Sequence, residues 1–171
     1  VAGMLVQAGM ATLLTIGVPE NGAALDADTV VVALKSRTVA AAEAVRDSLA
    51  ALERLRAAGC RRFYFKVCST FDSTPQGNIG PVAEALMAAL GAEFAIACPA
   101  FPENGRSVYR GHLFVGDQLL SDSGMKNHPL TPIPIPEQVP ATQGIAELPG
   151  TRLGYWDTGG NGTPIIFLHP A

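Results

Sequence analysis

Thr29-Val-Val-Val-Ala-Leu-Lys-Ser-Arg-Thr38 decides the fold. Thr29–Leu34 is an unbroken apolar, β-branched run, the texture of a strand covered on both faces, as in a parallel sheet. Thr38 is placed to cap a helix reaching about Ala58. Val39, Ala42, Val45, Leu49, Leu52 and Leu55 recur there at three- and four-residue steps, among Glu43, Arg46, Asp47, Glu53 and Arg54. Gly59 is a stop suited to the left-handed region.

Outward from that unit the alternation continues. Arg62–Val67 reads as the next strand, and Cys68–Gly77 as a polar loop. A helix follows from about Gly80 to Leu90, with Pro81 in its first turn and Gly91 at its end. Glu93–Ala97 is a further strand. Before the unit, Ala11–Ile16 reads as a buried strand behind the tail of a buried helix that Gly9 stops. The order of strands and helices predicts an α/β fold, an open parallel sheet with helices on its faces.

From Pro99 the texture changes. Val108–Tyr109, His112–Val115 and Gln118–Leu120 read as short strands of a small β-hairpin region turning at Gly116-Asp117. Pro132, Pro134, Pro136 and Pro140 favour an extended linker over a helix. The expected organisation is a domain at 1–136, a linker at 137–147 and a separate segment at 148–171. In the last segment Arg152–Trp156 and Ile165–Leu168 read as strands.

Composition bounds the function. The chain has 171 residues, 48% hydrophobic and 16% charged, enough to bury a core and too apolar for disorder. Its net charge is −3 and its Lys and Arg are scattered, which argues against a nucleic-acid surface. The uncharged stretch Val1–Pro19 is broken by Gln7, Gly9, Thr12, Thr15 and Gly17 and has no basic segment before it, so neither a membrane span nor a signal peptide is expected. Cys60, Cys68 and Cys98 have no Cys-x-x-Cys spacing and no His at ligand spacing. They read as buried free thiols of a reducing, cytoplasmic compartment, with no metal site.

The chemistry concentrates in Lys66-Val-Cys-Ser-Thr-Phe-Asp-Ser-Thr-Pro-Gln-Gly-Asn78, which leaves a strand end and enters a helix N-terminus. Ligands of open parallel sheets bind at that edge, and the unpaired N–H groups of a helix start favour an anion. Lys66, Asp72, Ser73, Thr74 and Asn78, with Ser69 and Thr70, suit a small polyhydroxylated acid. Arg37 should emerge at the same edge, its planar fork able to hold a carboxylate. Equally, these are ordinary loop residues, and Lys66 and Arg37 are candidates for plain solvation. Asn104 and Arg106, in Pro99–Arg106, read as pocket lining or as a Pro/Gly turn. His112 reads as structural; His128 is left open. Neither G-x-x-x-x-G-K-[ST] nor G-x-G-x-x-G occurs, so nucleotide binding has no support in these residues.

Lys66–Pro81, Cys98-Pro-Ala-Phe-Pro-Glu-Asn-Gly-Arg106, Tyr109-Arg-Gly-His-Leu-Phe-Val115 and Met125-Lys-Asn-His-Pro-Leu-Thr-Pro132 together resemble the four-carbon acid sugar kinases, nearest their 3-oxo-tetronate kinase branch. The resemblance spans about Val1 to Pro134. It implies ATP-dependent phosphorylation of the terminal hydroxyl of a four-carbon sugar acid, with the acid held by an N-terminal domain and ATP, with Mg, by a C-terminal one. It implies acid contacts at Arg37, Lys66, Asp72, Ser73, Thr74 and Asn78. The family's acidic Asp-Asp-x-Thr-Gly-Ala loop and its nucleotide domain have no counterpart in these residues. No catalytic base is therefore named, neither ATP nor Mg is expected to bind here, and the chain is expected to be a fragment.

Leu148–Pro170 resembles instead the opening of an α/β-hydrolase, a hairpin and then a strand ending at His169-Pro170, without the G-x-S-x-G elbow. A gene fusion, a chimeric read assembly and a frameshift all account for such a join. Three functions follow, in order: the sugar-acid-binding half of a kinase, inactive alone; a non-catalytic binding module or remnant; the start of an α/β-hydrolase fusion. The expected partner is a small sugar acid, with no nucleic acid or membrane; the oligomeric state is left open.

Overall fold

The computed structural model describes residues 1–71, 76–127, 142–148, 151–157 and 165–167. Within them the order is α1 (Ala2–Gln7), β1 (Thr12–Ile16), β2 (Thr29–Ala33), α2 (Ala41–Ala57), α3 (Ile79–Leu90), β3 (Ala95–Ala97), β4 (Arg106–Tyr109), β5 (His112–Val115), β6 (Gln118–Leu119), β7 (Thr142–Leu148), β8 (Thr151–Asp157) and β9 (Ile165–Phe167). The chain is α/β, with parallel strand pairs, helices and a small antiparallel sheet.

β1 and β2 are parallel, with Thr12 opposite Thr29 and Ile16 opposite Ala33. The Thr12 and Thr29 hydroxyls are 2.9 Å apart, and Asp28 accepts from the Ala11 N–H at 2.9 Å, which fixes the register at its start. The crossover between the strands is held against α2, where Arg54 Nε donates to the Pro19 carbonyl at 3.1 Å and Nη2 to that of Glu20. β2 is half-buried at every position. The sheet is thus less covered than its apolar texture implies, and Ile16, 77% exposed, shows where on β1.

The core lies with the helix pair. α2 and α3 pack on each other, Arg56 Nη1 reaching the Ala89 carbonyl at 3.1 Å. Ala44, Ala51, Leu52, Val82 and Met87 are buried. Burying a side chain such as Val82 contributes about 1.5–3 kcal/mol. The buried stripe of α2 is Ala44, Ser48, Ala51 and Leu52; of these only Leu52 is among the apolar residues that the sequence pattern favours. Gly91, at φ 62°, ends α3 as expected.

Other expectations are corrected. Residues 61–67 belong to no ladder among the described residues, although their side chains alternate between exposed and half-buried. The periodicity of a strand is there without a bonded neighbour. Thr38 caps nothing: it lies in a 3-10 turn, Ser36–Thr38, and α2 starts at Ala41 behind Ala40 without a side-chain cap. α1 has no buried residue. Cys60 and Cys68 are half-buried and Cys98 is exposed, so none is a buried thiol.

β4, β5 and β6 form one antiparallel sheet, with Tyr109 opposite His112 and Val115 opposite Gln118. β7 and β8 form a hairpin, Leu148 opposite Thr151, so a strand occupies part of the stretch expected to link. β9 pairs in parallel with β3.

Candidate functional site

Two strand-end loops carry the chemistry that the sequence singled out. The first follows β2. Lys35 stands in the left-handed region at φ 55° and opens the 3-10 turn that holds Arg37. A non-glycine residue there costs about 1–3 kcal/mol and persists only where its surroundings hold it. What holds this turn comes from the far end of the domain. Asn78 Nδ2 donates to the Ser36 carbonyl at 2.7 Å and to that of Val39 at 3.0 Å. Both amide hydrogens of Asn78 are thereby used on the backbone that flanks Arg37. Its Oδ1 takes no part in these two bonds.

Asn78 also opens α3, its carbonyl accepting from the Val82 N–H at 3.0 Å. By helix geometry the N–H groups of Ile79 and Gly80 have no acceptor within the helix. The Arg37 turn therefore meets the positive end of a twelve-residue helix. Arg37 and Lys35 are exposed. The chain approaching Asn78 is shaped at Cys68–Phe71: the Phe71 N–H donates to the Cys68 carbonyl at 2.8 Å, and Phe71 has φ 48°. Thr70 is buried, its hydroxyl 3.0 Å from Cys68 Sγ.

Lys35 thus carries backbone strain next to Arg37; Phe71 and Arg110 are the other non-glycine residues at positive φ among the described residues. Sequence reasoning missed Lys35 and Phe71, because no residue preference announces a positive φ at Lys or Phe. The Lys35-Ser-Arg37 run after a strand was the only available signal.

Lys66 is exposed and precedes this loop in the segment without a ladder. Asp72, Ser73, Thr74 and His128 lie outside the described residues. The structure brings Arg37 and Asn78 together.

The Pro99–Arg106 loop is built differently. Phe101 and Arg106 bond each other's backbone at 2.8 and 3.0 Å, and Arg106 Nη1 donates to the Asn104 carbonyl at 2.9 Å. Gly105, at φ 63°, accepts from the Gly116 N–H at 2.7 Å, and a Cβ added to it would sit 3.7 Å from that nitrogen. These bonds stay within the loop and the adjoining β5–β6 turn. Arg106 Nε is buried without a partner among the described residues, a cost of about 1–3 kcal/mol for an ordinary donor. His112 is exposed.

Among the described residues no group of three or more His, Cys, Asp or Glu stands ready for a metal ion. None of their helices is long and apolar enough to cross a membrane.

A family described as a sugar-binding N-terminal domain matches residues 1–140. The chain is 70% identical over 132 residues to a 3-oxo-tetronate kinase of Burkholderia multivorans, covering 77% of this chain and 31% of that protein. It is 60% identical over 156 residues to one of Pseudomonas fluorescens, covering 90% and 36%. The chain spans about a third of the length of these curated relatives. A Haemophilus influenzae crystal structure matches with TM-score 0.73 and 51% identity, over 77% of this chain and 32% of that one. A Bordetella bronchiseptica structure, of a domain of unknown function described as a domain-swapped dimer with bound citrate, matches with TM-score 0.64 and 38% identity over 77% and 33%.

Proposed function

The chain belongs to the sugar-binding N-terminal domain family, and from that premise we propose that it is the substrate-binding half of a kinase acting on a four-carbon sugar acid of the 3-oxo-tetronate type. The observation that carries this is the pair of hydrogen bonds from Asn78 to Ser36 and Val39. They set a guanidinium-bearing turn beside a helix start, two features that favour the same charge on a ligand. Curated relatives named 3-oxo-tetronate kinase supply the substrate class. The citrate named with the Bordetella structure shares with such an acid a carboxylate and a hydroxyl on a short carbon chain.

In this reading Arg37 takes the carboxylate in a bidentate pair, and Lys66 adds a second positive charge. Asp72, Ser73 and Thr74 bond the sugar hydroxyls. Asn78 is foremost a positioning residue, with Oδ1 offered to a hydroxyl. Asn104 and Arg106 stand at the rim without bonding the acid, and His128 has no assigned role. In the whole kinase, ATP with Mg would donate the phosphoryl group. These residues include no phosphate loop and, where described, no metal-ligand cluster, so no phosphoryl-transfer step is assigned to them. Their contribution to the reaction is placement of the acid, one of the two things, with charge stabilisation, that a protein supplies to such a transfer.

Calorimetry with erythronate tests the reading. Saturable heat that disappears in Arg37→Ala and in Lys66→Ala is the expected result. Wild-type protein that folds yet gives no heat with any four-carbon sugar acid would overturn it.

A further inference from the structure

Among the described residues β1 has one bonded neighbour, β2. The bonds at the two ends of their ladder show which way the backbone of β1 faces. The Ala11 carbonyl accepts from the Thr29 N–H at 3.1 Å, and the Gly17 N–H donates to the Ala33 carbonyl at 2.9 Å. Positions 11 and 17 therefore face β2. Backbone groups of a strand alternate in direction, so 13 and 15 face β2 as well. The N–H and C=O groups of Thr12, Leu14 and Ile16 are left facing the outer edge.

Strand edges are ordinarily guarded by a charge, a Pro or a bulge. Ala11–Gly17 has no charge and no Pro, and no charged residue stands between Val1 and Pro19. The pairing with β2 runs from Thr12 to Ile16 without a bulge. Leu14 is 55% and Ile16 77% exposed.

We propose that the outer edge of β1 is a self-association surface, occupied by β1 of a second copy of this chain in antiparallel register. Backbone direction selects the register. An antiparallel pair needs facing residues whose groups point at each other, and only Thr12, Leu14 and Ile16 qualify. A twofold axis centred on Leu14 sets Leu14 opposite Leu14 of the partner subunit, and Thr12 opposite Ile16 of the partner subunit. Every outward N–H then meets a carbonyl. An axis between 13 and 14 would set outward groups against inward ones. Charge selects the occupant. A twofold axis sets a central residue against its own copy, so a charge there would meet its like. An uncharged edge suits itself, and it offers nothing to steer a charged peptide.

The pairing leaves the candidate site open. β2 runs parallel to β1 and leads into the Arg37 turn, so antiparallel copies carry their turns at opposite ends of the joined sheet.

Sedimentation equilibrium on the full chain is the test, over about 10–500 µM, since so short an edge makes a small interface. The mass should rise towards that of a dimer. Leu14→Lys sets like charges face to face and should weaken association about tenfold or more, while Ile96→Lys, at an exposed residue of β3, leaves it unchanged. A monomer throughout, or equal loss in both variants, would overturn the assignment. Should Leu14→Lys fail to fold, Leu14→Cys and Leu13→Cys decide the matter, in a background where Cys60, Cys68 and Cys98 are Ser. Facing residues stand about 5.5 Å apart between Cα atoms, within disulfide reach. Mild oxidation should link two chains through position 14 and not through 13, whose side chain lies on the other face. No link at 14, or equal linking at both, would overturn it.

Discussion

The turn after β2 and the loop after β3 look alike in sequence, each a strand end followed by an Arg amid small polar residues. Their hydrogen bonds differ in reach. The Arg37 turn is held by Asn78, across 42 and 39 positions of chain. The Arg106 loop is held by Phe101 and Asn104, a few positions away, and by the Gly116 N–H of the neighbouring β5–β6 turn. Its bonds stay within the small antiparallel sheet that it opens. A turn closed by a residue from the start of another helix exists only in the assembled domain, and there it becomes part of a site.

The comparison breaks most sharply at Asn78. In Asn78→Asp a carboxylate would face two carbonyl oxygens that now accept hydrogen bonds. Urea unfolding should show a loss of about 2–4 kcal/mol, since two half-buried carbonyls lose their donor and meet a like charge. Asn78→Ala removes two donors without adding repulsion, and about 1–3 kcal/mol should be lost. A smaller loss in the Asp variant than in the Ala variant would mean that Nδ2 does not hold the turn.

Arg37→Ala should weaken erythronate binding about tenfold or more, as for a charged hydrogen-bonding partner worth about 1.5–3 kcal/mol. Arg106→Ala should change binding by less than about threefold and stability by no more than about 1 kcal/mol, since the loss of one local bond is offset by removal of a buried donor without a partner. Asn104→Ala should change neither by more than about 0.5 kcal/mol, because Arg106 uses its backbone carbonyl and not its side chain.

Much of the framework was legible. β-branched runs marked β1 and β2, Pro81 and Gly91 bracketed α3, and the Gly116-Asp117 turn separated β5 from β6. Arg62–Val67 was expected as a strand and joins no ladder among the described residues, because a strand needs a bonded neighbour, which no local pattern encodes. The buried stripe of α2 was legible in part: Leu52 is buried as its spacing implies, but Ala44, Ser48 and Ala51 are buried with it, while Ala42 is exposed and Val45, Leu49 and Leu55 are half-buried. The residues of the candidate site were legible as chemistry, not as geometry. That Asn78 would spend its amide on Ser36 and Val39 depends on contacts made only after folding. The strain at Lys35 and Phe71 had no sequence signal either.

Backbone amide shifts in the isotope-labelled chain during an erythronate titration test the central claim most directly. Amides at 35–39 and at 76–80, leaving out Pro residues, should shift together and saturate with one affinity, while those at 101–106 move little. Shifts confined to 101–106, or two sets that saturate separately, would contradict a single site built across the Asn78 bridge.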